Sequence, residues 1–400
     1  MCIKTQAAVF PSAGQALACW RWANFLAARA PPGNSIVRIN MDETAVKIAP
    51  VLKPGLVACE PQENIKDFML HERRAPLRQQ RACLSLVAFV CDDSEVQKSL
   101  PQIILGGSAV LRVSDLVRIE PQLPDNVFCL RRKSAWLNAD LLAEIVKLLG
   151  KSLTHLRNHR TFILSMDAAP SHTKEKVAKA CARQNIHIMY IPAQMTKWLQ
   201  PLDTHVFAKL KRFLQQEYET AVLRERDGEV NVFDVLQAVV RAVPEVLEAQ
   251  PWSRAFQHVG LRDEQTHLSR TFLRRLGWHA APQVPPDLPT LQDLQAVFKA
   301  GFDIPVGALF ESLLPRPAAV VARRAAPRDD AGEGHGGNPW RGRLRSSSRV
   351  DLLPPAEASQ APAAPRAPRA TRLGIPRSQW GHGSIPLESP ERDRSRSPPG

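Results

Sequence analysis

The run Phe162-Ile-Leu-Ser-Met-Asp167 carries an apolar strand straight into a carboxylate, and Pro170 stops the strand at once. A buried strand that ends on a carboxylate presents it at the edge of the sheet, where a metal or a substrate can reach it. A segment that reads as helix then strand follows, leading to a second aspartate in Trp198-Leu-Gln-Pro-Leu-Asp203. An earlier one, Asp42 in Ile39-Asn-Met-Asp42-Glu43-Thr44, also closes an apolar run.

Taken in order, Gly14–Ala30 has the pattern of a helix with Leu17, Trp20, Phe25 and Leu26 on one side, ended by Pro31-Pro32-Gly33. Ile36–Asn40 and Thr44–Ile48 read as two strands joined by a turn that holds Asp42 and Glu43. Leu84-Ser-Leu-Val-Ala-Phe-Val90 is a near-continuous apolar run, suited to a central strand buried on both faces. Gln102–Leu105 and Val127–Leu130 read as further strands, and Leu137–Leu149 as an amphipathic helix. The strand at 162–166 leads to a helix over 173–184, with Ser171 or Thr173 as its expected cap, and to a strand over Ile186–Ile191. The helix after Asp203 has the clearest stripe: Val206, Phe207, Leu210, Phe213, Leu214, Tyr218 and Val222. Asp203 falls at or near its first turn, where a helix N-terminus favours an anion. Helical segments over 232–249, 252–258 and 291–300 close the body.

Hydrophobic residues make up 44% of the 400, which supports a folded body, but the segment from 315 onward differs. It holds 14 of the 34 prolines, 15 arginines, 8 acids and no lysine. So few large apolar side chains cannot offset the entropy of ordering, and this tail is expected to be disordered. The net charge of +14 favours a polyanionic partner, nucleic acid before an anionic membrane. The basic stretch Glu72–Arg81 reads as a loop, either touching a phosphate backbone or simply solvated. No run of 18 apolar residues and no signal-peptide pattern is present, so no membrane is expected. The seven cysteines (2, 19, 59, 83, 91, 129 and 181) form no CxxC pair. They read as reduced core thiols of an intracellular protein, which sets cysteine-ligated zinc aside.

One aspartate at a strand end is commonly a cap or an Asx-turn. Three together are another matter, because two carboxylates about 4 Å apart repel by roughly 4 kcal/mol at an effective dielectric near 20. A fold that gathers them needs divalent cations or protonates one of them. An oxygen-only set suits Mg²⁺ or Mn²⁺. Two such ions activate a water or a 3′-hydroxyl and stabilise the leaving oxygen of a displacement at phosphorus.

Asp167-Ala-Ala-Pro-Ser-His172, Asn185-Ile-His-Ile-Met-Tyr-Ile-Pro192 and Leu199-Gln-Pro-Leu-Asp203 resemble, in order and spacing, the core of the DDE superfamily endonuclease domain. This is the domain of pogo/Tigger-type transposases and their centromere-protein-B-like relatives. Asn40-Met-Asp42-Glu43-Thr44 resembles that family's first motif, Lys133-Ser-Ala-Trp136-Leu137 its Gly-Trp segment, and Trp252–Leu261 the segment after the domain. The resemblance spans roughly 35–262.

It implies an α/β fold, a ribonuclease-H-like mixed sheet of about five strands flanked by helices, with a disordered C-terminal tail. It also implies that Asp42, Asp167 and Asp203 are the catalytic carboxylates and metal ligands. Mg²⁺ (or Mn²⁺) is then the cofactor, DNA the partner and the nucleus the location, with a homodimer as the assembly to look for. The Arg/Ser repeats of the tail add RNA as a further partner. His172, Arg131, Arg132 and Lys133 are candidate nucleic-acid contacts, weighed against a structural hydrogen bond for the histidine and a solvated charge run for the others. Trp198 and His205 read as structural, and Glu43 is expected to face away from Asp42. The organisation expected is a helical segment over 1–34, the catalytic domain over 35–225, a helical extension over 226–314 and the tail over 315–400.

Two positions depart from the family pattern: Ala168 stands where it has Asn, and Thr204 where it has Gln. The family also carries helix-turn-helix modules before the domain, and only about 35 residues precede it here. The expectation is therefore a truncated copy, a gene-model fragment or a domesticated derivative. An active Mg²⁺-dependent DNA endonuclease and an inactive nucleic-acid-binding derivative both follow from this pattern. A glycosidase also uses paired carboxylates, but the spacing, the oxygen-only site and the basic balance favour phosphodiester chemistry.

Overall fold

A computed structural model of the chain describes residues 12–48, 83–224, 230–298 and 306–314. The basic stretch 72–81, Cys2, Cys59 and the Pro/Arg-rich segment from 315 lie outside the described residues.

Helix α1, Ala13–Ala28, starts on Ser12, whose hydroxyl accepts the Gln15 N–H. Strand β1 then runs unbroken from Ser35 to Lys47. The turn expected at Asp42–Glu43 is absent because Ile39–Lys47 pairs residue by residue with β2, Cys83–Cys91, placing Asp42 opposite Ala88. Both faces of β2 are covered, as its apolar run requires.

Strand β3, Gln102–Gly107, is followed by α2, Val113–Ile119, and by β4, Val127–Arg132. Next come α3, Ala139–Ser152, capped by Asn138, and β5, Arg160–Asp167. Helix α4 spans Glu175–Arg183, inside the expected 173–184, and β6 spans Ile186–Ile191, the bounds that the sequence pattern predicts. Neither expected residue caps α4: it begins after Lys174 with no side-chain cap, and the Thr173 hydroxyl is buried without a partner.

A π-helical turn, Leu202–Val206, leads into α5, Phe207–Arg224. Of the stripe expected there, Val206, Phe207 and Leu210 are buried, whereas Phe213, Leu214, Tyr218 and Val222 are half-buried. The α-helices that follow are α6, Val232–Ala242, α7, Ser253–His258, α8, Arg270–Arg275, α9, Leu291–Val297, and α10, Val306–Leu313.

The six strands make one mixed sheet in the order β4-β3-β2-β1-β5-β6. Only β2 runs against its neighbours, so β1, β3, β4, β5 and β6 all point the same way. This is the ribonuclease-H-like mixed sheet flanked by helices, with β4 added at one edge as a sixth strand. Parallel neighbours need a crossover, and α4 supplies the one from β5 to β6. On the central pair Asn40 lies opposite Ser165, so Asp42 and Asp167, two residues further on each strand, are level.

Helix α1 packs on β6 and α9. The indole of its Trp20 donates to the Val259 carbonyl at 2.9 Å. Gly260 is required at the following turn: its φ is +77°, and a Cβ there would stand 2.5 Å from the Trp20 indole nitrogen. No described helix is long and apolar enough to cross a membrane.

Candidate active site

Three elements deliver the aspartates. Asp42 comes from the middle of β1, Asp167 from the last position of β5, and Asp203 from the π-helical turn before α5. Asn40 ties these elements together. Its side chain is fully buried, donates to the Ser165 carbonyl and hydroxyl at 3.1 and 3.3 Å, and accepts the Leu202 N–H at 3.0 Å. A buried amide is retained in an apolar run only when its polar atoms are satisfied, and here the partners are β5 and the turn that bears Asp203.

The aspartates sense one another. Burial pushes the Asp42 carboxyl well above the usual carboxylate range, and the charges of Asp203 and Asp167 push it further in the same direction. The neighbouring Glu43 N–H, donating at 2.7 Å, only partly offsets this. Asp203, at the solvent side, is also raised, by desolvation first, while a hydrogen bond from Thr196 opposes it.

His172 is buried between two carboxylates. Its Nδ1 is hydrogen-bonded to the Asp167 carboxylate, and its Nε2 lies 3.4 Å from Glu43 Oε1. Burial alone would lower its pKa, but the bonds to Asp167 and Glu43 carry it up to about 10. Both ring nitrogens thus face a carboxylate, an arrangement that favours the protonated ring. Tyr190 holds the loop from beneath, donating its hydroxyl to the His172 carbonyl at 3.2 Å.

Among the described residues, no group of three His, Cys, Asp or Glu side chains is drawn in closely enough to hold a metal ion as it stands. The donor chemistry nevertheless fits a hard divalent cation, because the three aspartates offer oxygen only. Two of them are held against ionisation by desolvation and mutual repulsion, which a cation between them relieves. Thr173 and Gln200, beside the second and third motifs, each bury side-chain polar atoms without a partner.

The other expected residues separate into groups. Arg131 is engaged within the chain, its guanidinium donating to the carbonyls of Leu111 and Ser108 at 2.8 and 3.3 Å. Arg132 and Lys133 are exposed at the end of β4. Trp198 stacks on Phe272 with centroids 5.9 Å apart. His205 meets His258 across 3.1 Å. Glu43 joins the constellation through the His172 ring, a contact that strand alternation relative to Asp42 does not reveal. Asn40 was the other omission, and its signal was present as the one amide inside Ile36-Val-Arg-Ile-Asn-Met41.

Residues 84–255 match the DDE superfamily endonuclease family. That stretch is a DDE superfamily endonuclease domain. The match runs from β2 to α7 and includes Asp167, His172 and Asp203, while Asp42 lies before it on β1. No curated protein matches the chain.

Solved structures similar to the chain include a Mos1 transposase paired-end complex with left transposon end, at 15% identity and a TM-score of 0.30, over 65% of this chain and 66% of that one. The catalytic domain of Mos1 mariner transposase is similar at 16% identity and a TM-score of 0.30, over 65% of this chain and 100% of that one. A Mos1 catalytic domain with Raltegravir and Mg gives 14% identity and a TM-score of 0.30, over 63% and 96%. This chain thus spans just under two thirds of the transposase in the first of these.

Proposed function

We propose that the chain is a transposase-derived endonuclease that cleaves or joins DNA strands, with Asp42, Asp167 and Asp203 as its carboxylates and Mg²⁺ or Mn²⁺ as its cofactor. The observation that supports this most directly is the buried Asn40 amide, which fixes β1, β5 and the turn before Asp203 to one another beside the three acids. When bound, the divalent ions supply activation of an attacking hydroxyl or water and stabilisation of the leaving oxygen. The chain's own residues bind and orient. Asp42 offers a desolvated carboxylate between its two neighbours, Asp203 one from the solvent side, and His172 fixes the rotamer of Asp167 while Glu43 holds the far side of the ring. The net charge of +14 suits DNA as partner, and the nucleus is the proposed location.

Incubation with labelled DNA and Mg²⁺ tests this. Wild type is expected to nick, and Asp167→Asn to abolish nicking; equal activity in the variant rejects the assignment.

A second reading, a catalytically inactive nucleic-acid-binding derivative, is favoured by one observation: Asp167 is already engaged by His172. It predicts salt-dependent binding that weakens when residues 316–400 are deleted, with no metal-dependent cleavage. RNA binding through that segment and a homodimer are further parts of the proposal, read out by the same binding assay and by sedimentation.

A further inference from the structure

We propose that Trp136, with Arg112, Arg132 and Lys133 around it, is a nucleic-acid docking surface on which an unpaired base stacks. Trp136 is 83% exposed. The other described tryptophans are placed differently: Trp20, Trp22 and Trp252 are buried, Trp198 lies on Phe272, and Trp278 lies against Trp20. An indole left in water at the end of a rigid element is a contact surface looking for a planar partner.

The surface is built on firm supports. The Trp136 N–H donates to the Ser134 hydroxyl at 3.2 Å. The loop before it passes over Gly107, with Ala135 N only 3.7 Å from where a Cβ would be. Directly after it, Leu137 is buried and Asn138 caps α3 by accepting the Leu141 N–H at 2.9 Å. Arg131, bonded to the Leu111 and Ser108 carbonyls, holds the 108–112 loop beside the end of β4 and so brings Arg112 to this rim.

The charge here is mainly positive. Arg112, Arg132 and Lys133 are exposed. The nearest acids in sequence are already engaged: Asp115 accepts the Arg112 N–H, and Asp140 pairs with Lys176 at 2.5 Å. Cations bordering an aromatic face suit a phosphate backbone with a stacked base.

The position also fits. Strand β4 runs parallel to β1 and lies three strands from it, roughly 14 Å at ordinary strand spacing. Through the ladders Arg131 is level with Val46, four residues past Asp42, so the end of β4 also stands roughly 13 Å further along the strand direction, and a nucleic-acid strand of several nucleotides running obliquely over the sheet can reach both the acids and Trp136.

This inference rests on DNA as the partner but not on catalysis, so it is tested by binding in EDTA and stands apart from the nicking assay. Anisotropy of a fluorescein-labelled single strand is measured with the full chain at several salt concentrations. Trp136→Ala is expected to weaken binding on the order of 5- to 150-fold, the equivalent of one stacked base, and Trp136→Phe to keep most of the affinity. Replacing Arg132 and Lys133 by Ala is expected to reduce the salt slope by about 1.4. Because Trp136 is so exposed, the melting temperature of each variant is expected to match wild type.

Unchanged affinity in Trp136→Ala overturns the proposal, as does an equal loss on blunt duplex, which removes the stacked base. If oligonucleotide binding is unchanged while Trp136→Ala alters self-association in sedimentation, the surface is a protein interface and the proposal is wrong.

Discussion

Asn40 accepts the backbone N–H of Leu202 at 3.0 Å, a bond that joins the central strand to the turn carrying Asp203. The same amide donates to Ser165, two residues before Asp167, and itself stands two residues before Asp42. Asn40→Leu leaves a buried N–H and a buried carbonyl without partners, at a cost of about 1–3 kcal/mol for each group. The expected outcome is a lower urea midpoint together with loss of nicking. Asn40→Asp keeps the acceptor for Leu202 and loses the donor to Ser165, so nicking is expected to fall there too. Wild-type nicking by Asn40→Leu would show that the tie has no part in placing the acids.

Asp42 is the acid whose ionisation the fold opposes most openly, through burial and then through Asp203 and Asp167. Removing its charge removes that opposition. Asp42→Asn is expected to stabilise the metal-free protein at neutral pH by about 1 kcal/mol, the usual sign when a functional charge is neutralised. The same variant is expected to lose any rise in melting temperature that Mg²⁺ gives wild type. A scan in EDTA and one in Mg²⁺ check both, and a melting temperature lower than wild type in EDTA contradicts the first.

Gly260 connects the turn after α7 to α1 through the Trp20 indole. Gly260→Ala meets two obstacles, a positive φ and a methyl group 2.5 Å from a buried ring. The positive φ alone costs on the order of 1–3 kcal/mol, and the ring cannot move aside without disturbing Phe272 and Trp278, which pack on it. Limited proteolysis is expected to cut the variant near α1 sooner than wild type. An unchanged pattern and an unchanged melting temperature would mean that this junction adapts freely.

The strands were the most legible part of the chain, because their apolar runs are short, continuous and bounded by punctuating residues. The bounds of β6 follow directly from its sequence. The turn expected at Asp42–Glu43 was a local inference from residue types that favour turns. What decides that position is non-local: a nine-pair ladder with β2, formed by residues far along the chain. The three aspartates stood out through their motifs, whereas Glu43 did not. Strand alternation describes a strand by itself, and His172, from the loop beyond β5, reaches both Asp167 and Glu43. The exposure of Trp136 had no signature at all, since the pattern of a helix start says nothing about what covers the residue two places before its cap.

Asp293 offers a pH test away from the acids. It forms the capping box of α9 with Thr290 and pairs with Arg21 of α1 at 2.9 Å. Partial burial pulls its pKa up, but the Thr290 N–H and hydroxyl and the Arg21 guanidinium outweigh this and hold it below the ordinary value. A carboxyl held low in the folded state binds its proton less readily there than in the unfolded chain. Its stabilising contribution is therefore complete above the unfolded value, near pH 3.9, and fades as pH falls through the folded one. Asp293→Asn is expected to be less stable than wild type at pH 7 by roughly 0.5–1 kcal/mol, the range for a part-exposed pair and cap. That gap is expected to stay constant down to about pH 5 and to close below the unfolded value, since wild type then loses the same charge. Urea midpoints of both proteins across this range decide it: a gap that widens in acid would mean that Asp293 acts through something other than its charge.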